Sequence, residues 1–352
     1  MTAPPISVII PAYNAARTIG PCLAALREQA FDKPYEIIVV DDGSTDGTAE
    51  IARTAGATVI STPRGRPAAA RNAGIRAAQG AIICCTDADC APQPDWLREL
   101  TAPFDDPAIM AAKGAYETRQ RALVARFVQL EYEDKYDRLR QQPAIDFIDT
   151  YSAAYRRDVL LDNEGFDVRF DYLEDQELSF RLAARGCRMV FRETAVVDHR
   201  HSATVRAYLR KKGIIGYWKA QVVRRHPDRA GGDSHTPPVM KVQMLLAMLT
   251  LAAVVAGVMG LLLWPGEVVA RSLLVWGPAA LAALAFVATT LPFVAKAWRK
   301  DRPVAVVAPF LLFGRAVALS LGYAWGMLQP RRAITGQPPG KGEGFLPNER
   351  ST

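Results

Sequence analysis

The chain has 352 residues, a formal net charge of +7 and a hydrophobic content of 50%. This length allows two or three domains, because single domains usually run about 100 to 200 residues. The five cysteines follow no disulfide or metal-ligand spacing, which argues against a disulfide-framed fold and is typical of reduced, apolar thiols in a cytoplasmic domain.

The first two hundred residues repeat an apolar strand, a polar turn and a helical pattern. The first strand covers residues 7–10, the second residues 36–40 and the third residues 57–60. Because these strands do not alternate apolar with polar residues, we expect them to be buried on both faces. This pattern predicts an α/β domain with a mainly parallel sheet and flanking helices.

Two carboxylates, Asp87 and Asp89, follow the next apolar run, residues 81–85. They stand where the carboxyl end of a buried strand meets solvent, which is the usual place for ligands in an open α/β sheet. Paired carboxylate oxygens suit a hard divalent cation that keeps water ligands and bridges phosphates. Taken alone, the pair is better explained by a solvated turn, because aspartate is common where strands meet loops.

Much of the positive charge lies between residues 206 and 225, where basic side chains alternate with aromatic and aliphatic ones. Such a helix is typical of an element that lies on an anionic membrane surface. A solvated basic helix without lipid contact is the alternative. A nucleic-acid partner is not expected, because the segment leads straight into a long apolar run.

Long uncharged runs follow in the last third of the chain. Residues 242–264 and 272–295 are each long enough for a membrane-spanning helix, which needs about 20 apolar residues. A third run, residues 304–328, is interrupted by Arg315. Three such runs favour spanning helices over the buried core of a soluble protein. A charge in mid-bilayer is costly unless it is paired, so the sequence leaves open whether the third run crosses.

The distribution of basic residues predicts the orientation. The loop between the second and third runs carries four of them: Lys296, Arg299, Lys300 and Arg302. An excess of this kind marks a cytoplasmic loop, and no signal peptide precedes the first strand. We therefore expect a multi-pass protein of the cell membrane with a cytoplasmic N-terminal domain. The tail fits less easily, because Arg331 and Arg332 would lie outside if the third run crosses.

Five short motifs follow one another along residues 5–200. They lie at residues 10–14, 40–47, 70–74, 86–89 and 174–182. In order and content they resemble the motifs of the family 2 glycosyltransferases, which have the GT-A fold. The resemblance implies a nucleotide-sugar donor, a divalent metal such as Mg²⁺ or Mn²⁺, and inversion at the anomeric carbon.

The resemblance also implies roles for individual residues. Donor binding is implied for eight of them: Pro11, Ala12, Tyr13, Asp41, Asp42, Arg71, Asp87 and Asp89. As alternatives, Asp41 could only cap the following turn, and Arg71 could only pair with a neighbouring carboxylate. The implied metal ligands are Asp89, Asp87 and His199, although Asp87 could instead face the ribose and His199 could be an ordinary surface histidine.

Asp175 is the general base that the resemblance implies, because an acceptor hydroxyl must lose a proton as it attacks the sugar. Glu174 and Glu177 would support it, and Arg181 lies at helical spacing from Glu177. Acidic residues at the start of a helix also interact favourably with its dipole, which is the structural alternative.

The chain is thus predicted to contain a GT-A catalytic domain (residues 1–200), a basic interfacial segment (201–240), a transmembrane region of two or three helices (241–328) and a flexible tail (329–352). We expect an inverting glycosyltransferase that acts on a lipid or lipid-linked glycan at the cytoplasmic membrane face. No Gln-x-x-Arg-Trp motif follows the base, which favours a non-processive enzyme over a polymer synthase. The alternative is a catalytically inactive GT-A domain that binds a nucleotide sugar.

Overall fold

The computed structural model describes residues 5–234, 236–263 and 268–329. The strands are β1 (Ile6–Ala12), β2 (Tyr35–Asp41), β3 (Thr58–Ser61), β4 (Ile82–Cys85), β5 (Ala91–Pro92), β6 (Ile109–Glu117), β7 (Ala153–Arg156) and β8 (Arg188–Asp198). The helices among them are α1 (Ile19–Arg27), α2 (Thr48–Thr54), α3 (Arg66–Ala77), α4 (Trp96–Thr101), α5 (Leu123–Leu139), α6 (Arg157–Asp162) and α7 (Glu174–Ala184). Four longer helices follow: α8 (Val205–Arg225), α9 (Pro238–Leu263), α10 (Val268–Lys300) and α11 (Arg302–Leu328).

The strands form one mixed sheet in the order β3-β2-β1-β4-β7-β6-β8-β5. The first four strands in this order are parallel, whereas β7 is antiparallel to both of its neighbours. Since β6 is antiparallel to β7 and parallel to β8, both run in the direction of β4. The carboxyl ends of β1, β2, β4 and β8 therefore meet at one edge of the sheet, as the predicted site requires.

Both faces of the sheet are covered, as the continuous apolar strands predict. Ile9 and Ile38 belong to a hydrophobic layer on one face, and Ile10 and Val39 belong to a layer on the other. All four side chains are at most 1% exposed. The GT-A-like sheet with flanking helices confirms the predicted fold class.

Three of the long helices are apolar enough to cross a membrane. The candidate spans are Pro238–Gly260, Trp276–Lys300 and Arg302–Leu328. They contain the three apolar runs, apart from residues 261–264 and 272–275. The predicted flexible tail lies outside the described residues beyond Gln329, and the predicted division of the chain into four parts stays a prediction.

Arg315, the charge that interrupts the third run, is paired. Its Nη1 lies 2.6 Å from Oε1 of Glu131, and its Nη2 lies 2.5 Å from Oε1 of Gln243. The other oxygen of Glu131 accepts from the Tyr208 hydroxyl at 3.1 Å and lies 3.2 Å from Nζ of Lys212. Burial alone would raise the pKa of Glu131, but Lys212 and Arg315 lower it to about 2. This charged cluster joins α5, α8, α9 and α11.

Helices α8 and α11 pack closely through glycines. A Cβ atom at Gly322 would overlap the carbonyl oxygen of Gly213, and one at Gly326 would lie 2.5 Å from the carbonyl oxygen of Tyr217. Small residues that let two backbones approach are typical of helix pairs in membranes. The basic segment is thus not a free surface helix, because one of its faces is fixed to α11.

We expect Gly322→Ala to destabilise the protein by about 1 to 3 kcal/mol, because the new methyl group pushes α11 away from α8. Thermal unfolding in detergent measures the effect. The control is Gly260→Ala in α9, where an added Cβ atom has no heavy atom within 4 Å. Equal melting temperatures for the two variants would contradict the packing role of Gly322.

Candidate active site

The carboxylates that end β2 hold the neighbouring loops. Asp42 accepts hydrogen bonds from the backbone N–H of Gly65 at 2.7 Å and of Arg66 at 2.8 Å. Asp41 accepts from the N–H of Ser44 at 3.1 Å, which is the turn-capping contact considered as its alternative role. Both side chains are buried at the sheet edge, so they fix the entrance to α3 and the turn after β2.

Tyr13 lies beside them, just after Pro11 and Ala12 at the end of β1. Its ring is stacked on Arg64, whose guanidinium carbon is 3.9 Å from the ring centroid. Arg64 also donates to the Tyr13 hydroxyl at 2.6 Å. No sequence motif marks Arg64, because the contact joins residues 51 positions apart. A flat, partly exposed stack of this kind suits a planar base.

Arg71 bridges two of the predicted site residues. Its Nη1 lies 2.6 Å from Oε1 of Glu174, and its Nη2 lies 2.8 Å from Oδ1 of Asp87. The Arg71 side chain is 3% exposed, so both contacts are shielded from water. The pairing alternative for Arg71 is therefore the contact observed, and it fixes the end of β4 against the start of α7.

A possible metal centre is formed by Asp89 with His199, at the end of β8, and Cys90. Their ligand atoms all lie within 4.8 Å of one another. Burial and the nearby Lys211 lower the pKa of His199 to about 3, so its imidazole is neutral and can bind a cation. A carboxylate and a neutral imidazole fit Mn²⁺ or Mg²⁺. Asp87, the third predicted ligand, pairs with Arg71 instead of joining this group.

Cys90 was not predicted to have any chemistry, because no cysteine spacing marks it. Its thiol is buried, and this burial raises its pKa well above the ordinary value. A protonated thiol is a poor ligand for a hard cation. We therefore regard Asp89 and His199 as the ligands that the structure offers for Mg²⁺ or Mn²⁺.

Asp175 lies in the first turn of α7, next to Glu174. Burial and the charges of Glu174 and Asp149 raise its pKa to about 8. Its Oδ1 accepts from the N–H of Gln176 at 2.8 Å. A carboxyl group whose pKa lies near neutral pH is suited to accept a proton during turnover. The predicted Glu177 contact is also present, since Arg181 Nε lies 2.9 Å from both carboxylate oxygens.

Strained backbone borders the site at three places. The φ values are 48° for Asn14, 70° for Arg66 and 63° for Leu173. These values lie in the left-handed region that residues other than glycine rarely adopt. Asn14 follows Tyr13, Arg66 donates to Asp42, and Leu173 precedes Glu174. Such strain is common at functional sites, where surrounding contacts hold the backbone in place.

Lys211 of α8 points toward the metal centre. Its ammonium nitrogen lies 6.0 Å from the centroid of the Tyr151 ring, which is 4.4 Å from the His199 ring. Lys212 faces Glu131, whereas Arg210 is exposed. The sequence pattern by itself predicts that the basic segment faces lipid as one group. Consecutive helical residues point about 100° apart, which was the signal that the three could not share one environment.

Comparison with known proteins agrees with this geometry. Residues 7–162 match Glycosyl transferase family 2. These residues form a family 2 glycosyltransferase domain. This finding confirms the family that the five motifs indicated, and it covers the strand ends that carry Asp41, Asp42, Asp87 and Asp89.

Relatives and a solved structure extend the comparison. A "Pre-mycofactocin glycosyltransferase" of Mycobacterium tuberculosis is 27% identical over 234 residues, which is 64% of this chain and 48% of that protein. "Glycosyltransferase AglE" of Haloferax volcanii is 45% identical over 103 residues, 27% of this chain and 34% of the relative. The chain thus spans half or less of these relatives. A mannosyltransferase structure from Pyrobaculum calidifontis, with GDP-Man and Mn²⁺, covers 92% of this chain and 88% of its own at 21% identity and a TM-score of 0.56, which shows a shared fold.

If Asp89 binds the cation, Asp89→Asn should weaken Mn²⁺ binding, because a neutral amide is a poor ligand for a hard cation. We expect a loss larger than the roughly tenfold effect of removing an outer-shell partner. Titration calorimetry with Mn²⁺ and a nucleoside diphosphate measures it. Asp95→Asn, at an exposed carboxylate that pairs with Arg98, is the control. Unchanged Mn²⁺ affinity in Asp89→Asn would exclude Asp89 as a ligand.

Proposed function

We propose that the protein is a metal-dependent, inverting glycosyltransferase. It would transfer a sugar from a nucleotide-sugar donor to a lipid or lipid-linked glycan at the cytoplasmic membrane face. The main support is that candidate cation ligands, Asp89 and His199, lie together, and that Arg71 ties the end of β4 to the start of α7, which carries the candidate base Asp175. Burial and the charges of Glu174 and Asp149 raise the pKa of Asp175 to about 8, which favours a proton-accepting role over that of a binding protein without turnover.

The donor half of the site follows from the sheet edge. In this proposal, Pro11, Ala12 and Tyr13 line the nucleoside, and Asp41 and Asp42 hold it by hydrogen bonds. A divalent cation on Asp89 and His199 would neutralise the charge that develops on the departing diphosphate. Lys211 would add a second positive charge on that side, while Asp87, held by Arg71, faces the ribose or a metal-bound water.

The acceptor half centres on Asp175. As the acceptor oxygen forms its bond to the anomeric carbon, the bond from that carbon to the diphosphate breaks, and the diphosphate leaves with the electron pair. Asp175 takes the hydroxyl proton. A single displacement of this kind inverts the anomeric centre. Burial and the charge of Glu174 keep the pKa of Asp175 high, and Arg71 in turn fixes Glu174.

A membrane acceptor is supported by the position of α8. Lys211 lies toward the metal centre, while Gly213 and Gly216 of the same helix contact α11. Among the described residues, α8 therefore lies between the candidate site and the apolar helix α11. A water-soluble acceptor would give no reason for such an arrangement.

The proposal is tested by incubating purified full-length protein in detergent with a panel of nucleotide sugars and Mn²⁺. Release of nucleoside diphosphate supports an enzyme, and chelation of the metal should abolish it. Release should increase when lipid acceptors are added. Binding of a donor without any release would support the inactive, nucleotide-sugar-binding alternative.

If Asp175 is the base, Asp175→Asn should lower kcat by about 10² to 10⁴-fold with near-normal donor affinity, because the lost interaction is made in the transition state. The carboxyl group is active only when deprotonated, and its pKa is about 8. Wild-type kcat should therefore rise with pH up to about 8.

Glu174→Gln provides the matched test. It removes the neighbouring negative charge that raises the pKa of Asp175, so the rise in kcat should move to lower pH. Measurement of kcat between pH 5 and 9 follows this shift. An unshifted profile in Glu174→Gln would place the titrating group elsewhere, and an equal loss of donor binding and turnover in Asp175→Asn would move Asp175 to the donor site.

The two neighbouring cations of α8 separate a donor role from a lipid role. Lys211→Met should raise the KM for the donor, because Lys211 lies toward the metal centre. Arg210→Met removes the same charge from an exposed position and should leave this KM unchanged. Equal effects of both substitutions, visible only on anionic liposomes, would show that Lys211 acts through general attraction to the membrane.

A further inference from the structure

The N-terminal end of α11 lies against the catalytic domain. Asp301, the residue before this helix, has its Oδ2 3.3 Å from Nη1 of Arg126. Lys300 has its Nζ 2.5 Å from Oε2 of Glu133. Both partners belong to α5, which also carries Tyr132 and Tyr136 into contact with Tyr116 of β6.

The other end of α11 also lies on the domain side. Arg224, at the end of α8, donates to the carbonyl oxygen of Gln329 at 2.9 Å and to that of Met327. The residue after α8, His226, has its Nε2 3.3 Å from Oε1 of Glu177 in α7. Because α7 carries the candidate base, Gln329 lies next to an element of the catalytic domain.

Between these ends, α11 follows α8 in the same direction. Leu209 contacts Gly314, Gly213 contacts Gly322, and the Gln221 side chain donates to the carbonyl oxygen of Gly326 at 2.9 Å. Helix α8 itself contacts the domain along its length, through Tyr208 on Glu131 at one end, and through Trp218 at the other. The Trp218 ring lies 5.9 Å from that of Phe170.

Helices α9 and α10 differ from α8 and α11 in how they contact the catalytic domain. Lys241, near the start of α9, donates to the carbonyl oxygen of Ala230, and Lys296, near the end of α10, binds Asp137 of α5. Only this end of the helix pair contacts the rest of the chain through such bonds among the described residues. Farther along, Leu262 and Leu281 are exposed by 71% and 70%. The pair therefore extends away from the domain as an antiparallel hairpin.

The length of α11 decides whether its two ends can lie on the same side of a bilayer that it crosses. A helix of this length measures about 40 Å, and the hydrocarbon core of a bilayer is about 30 Å thick. If α11 crossed, its two ends would lie on opposite sides of that core. Contacts with α5 at one end and with α8 beside α7 at the other are incompatible with such a separation.

We propose that α11 lies in the surface layer of the bilayer and does not cross it. The chain would then cross the membrane twice, through α9 and α10, and Gln329 would lie on the side of the catalytic domain. The partner of α11 is the lipid surface itself, which its outward stripe fits. Apart from Arg302 in the first turn, the exposed side chains of α11 are apolar, and five large ones form this stripe: Val306, Phe310, Leu321, Trp325 and Leu328.

The test uses the full chain in sealed membrane vesicles of known orientation, with a membrane-impermeant maleimide. Gln329→Cys marks the end of α11, Arg53→Cys marks exposed α2 of the catalytic domain, and Glu267→Cys marks the connection between α9 and α10. The background carries Cys187→Ser, because the other four natural cysteines are buried. A protease-cleavable epitope tag after Thr352 gives a second, independent readout.

We expect Gln329→Cys to be labelled, and the tag to be cleaved, from the same side as Arg53→Cys and opposite to Glu267→Cys. Labelling or cleavage from the Glu267→Cys side would show that α11 crosses and would overturn the proposal. If the thiol at position 329 is shielded from the reagent, cleavage of the tag decides between the two arrangements. The result does not depend on catalysis, so it stands whether or not the proposed transfer reaction is observed.

Discussion

The candidate site depends on one buried cation. Arg71 is placed by α3 between Asp87, which follows β4, and Glu174, which begins α7. The positive charge of Arg71 thereby offsets the repulsion between these two carboxylates. Removal of one partner from a buried pair commonly costs about 3 to 5 kcal/mol, because a charge is left without compensation. The donor side and the acceptor side of the site therefore form a single electrostatic unit.

A second buried charge connects this unit to the membrane part. Arg315 would be unfavourable in an apolar helix by itself, but Glu131 and Gln243 satisfy it. Since Glu131 lies on α5 of the catalytic domain, the apolar helices are not merely tethered through a linker. The same residue pairs with Lys212, so α8 is held in this arrangement as well.

Much of the site could be predicted because its residues sit at strand ends marked by continuous apolar runs. β1, β2 and β4, with Asp41, Asp42, Asp87 and Asp89, fall into this class. The antiparallel β7 could not be predicted, because its four residues carry no pattern of their own. Arg64, Cys90 and Lys211 were missed for a different reason: each gains its role from a contact between distant elements. The orientation of α11 was open for the same reason, since it depends on contacts with α5 and α8 that the hydropathy of the helix does not reveal.

The close contact of Gly213 with Gly322 leaves no compressible side chain between α8 and α11. A tilt or shift of α11 therefore displaces α8 as well. Lipid packing and headgroup spacing act on α11 if it lies in the bilayer surface. The tension of the surrounding membrane would then reach Lys211, and with it the electrostatics of the metal centre.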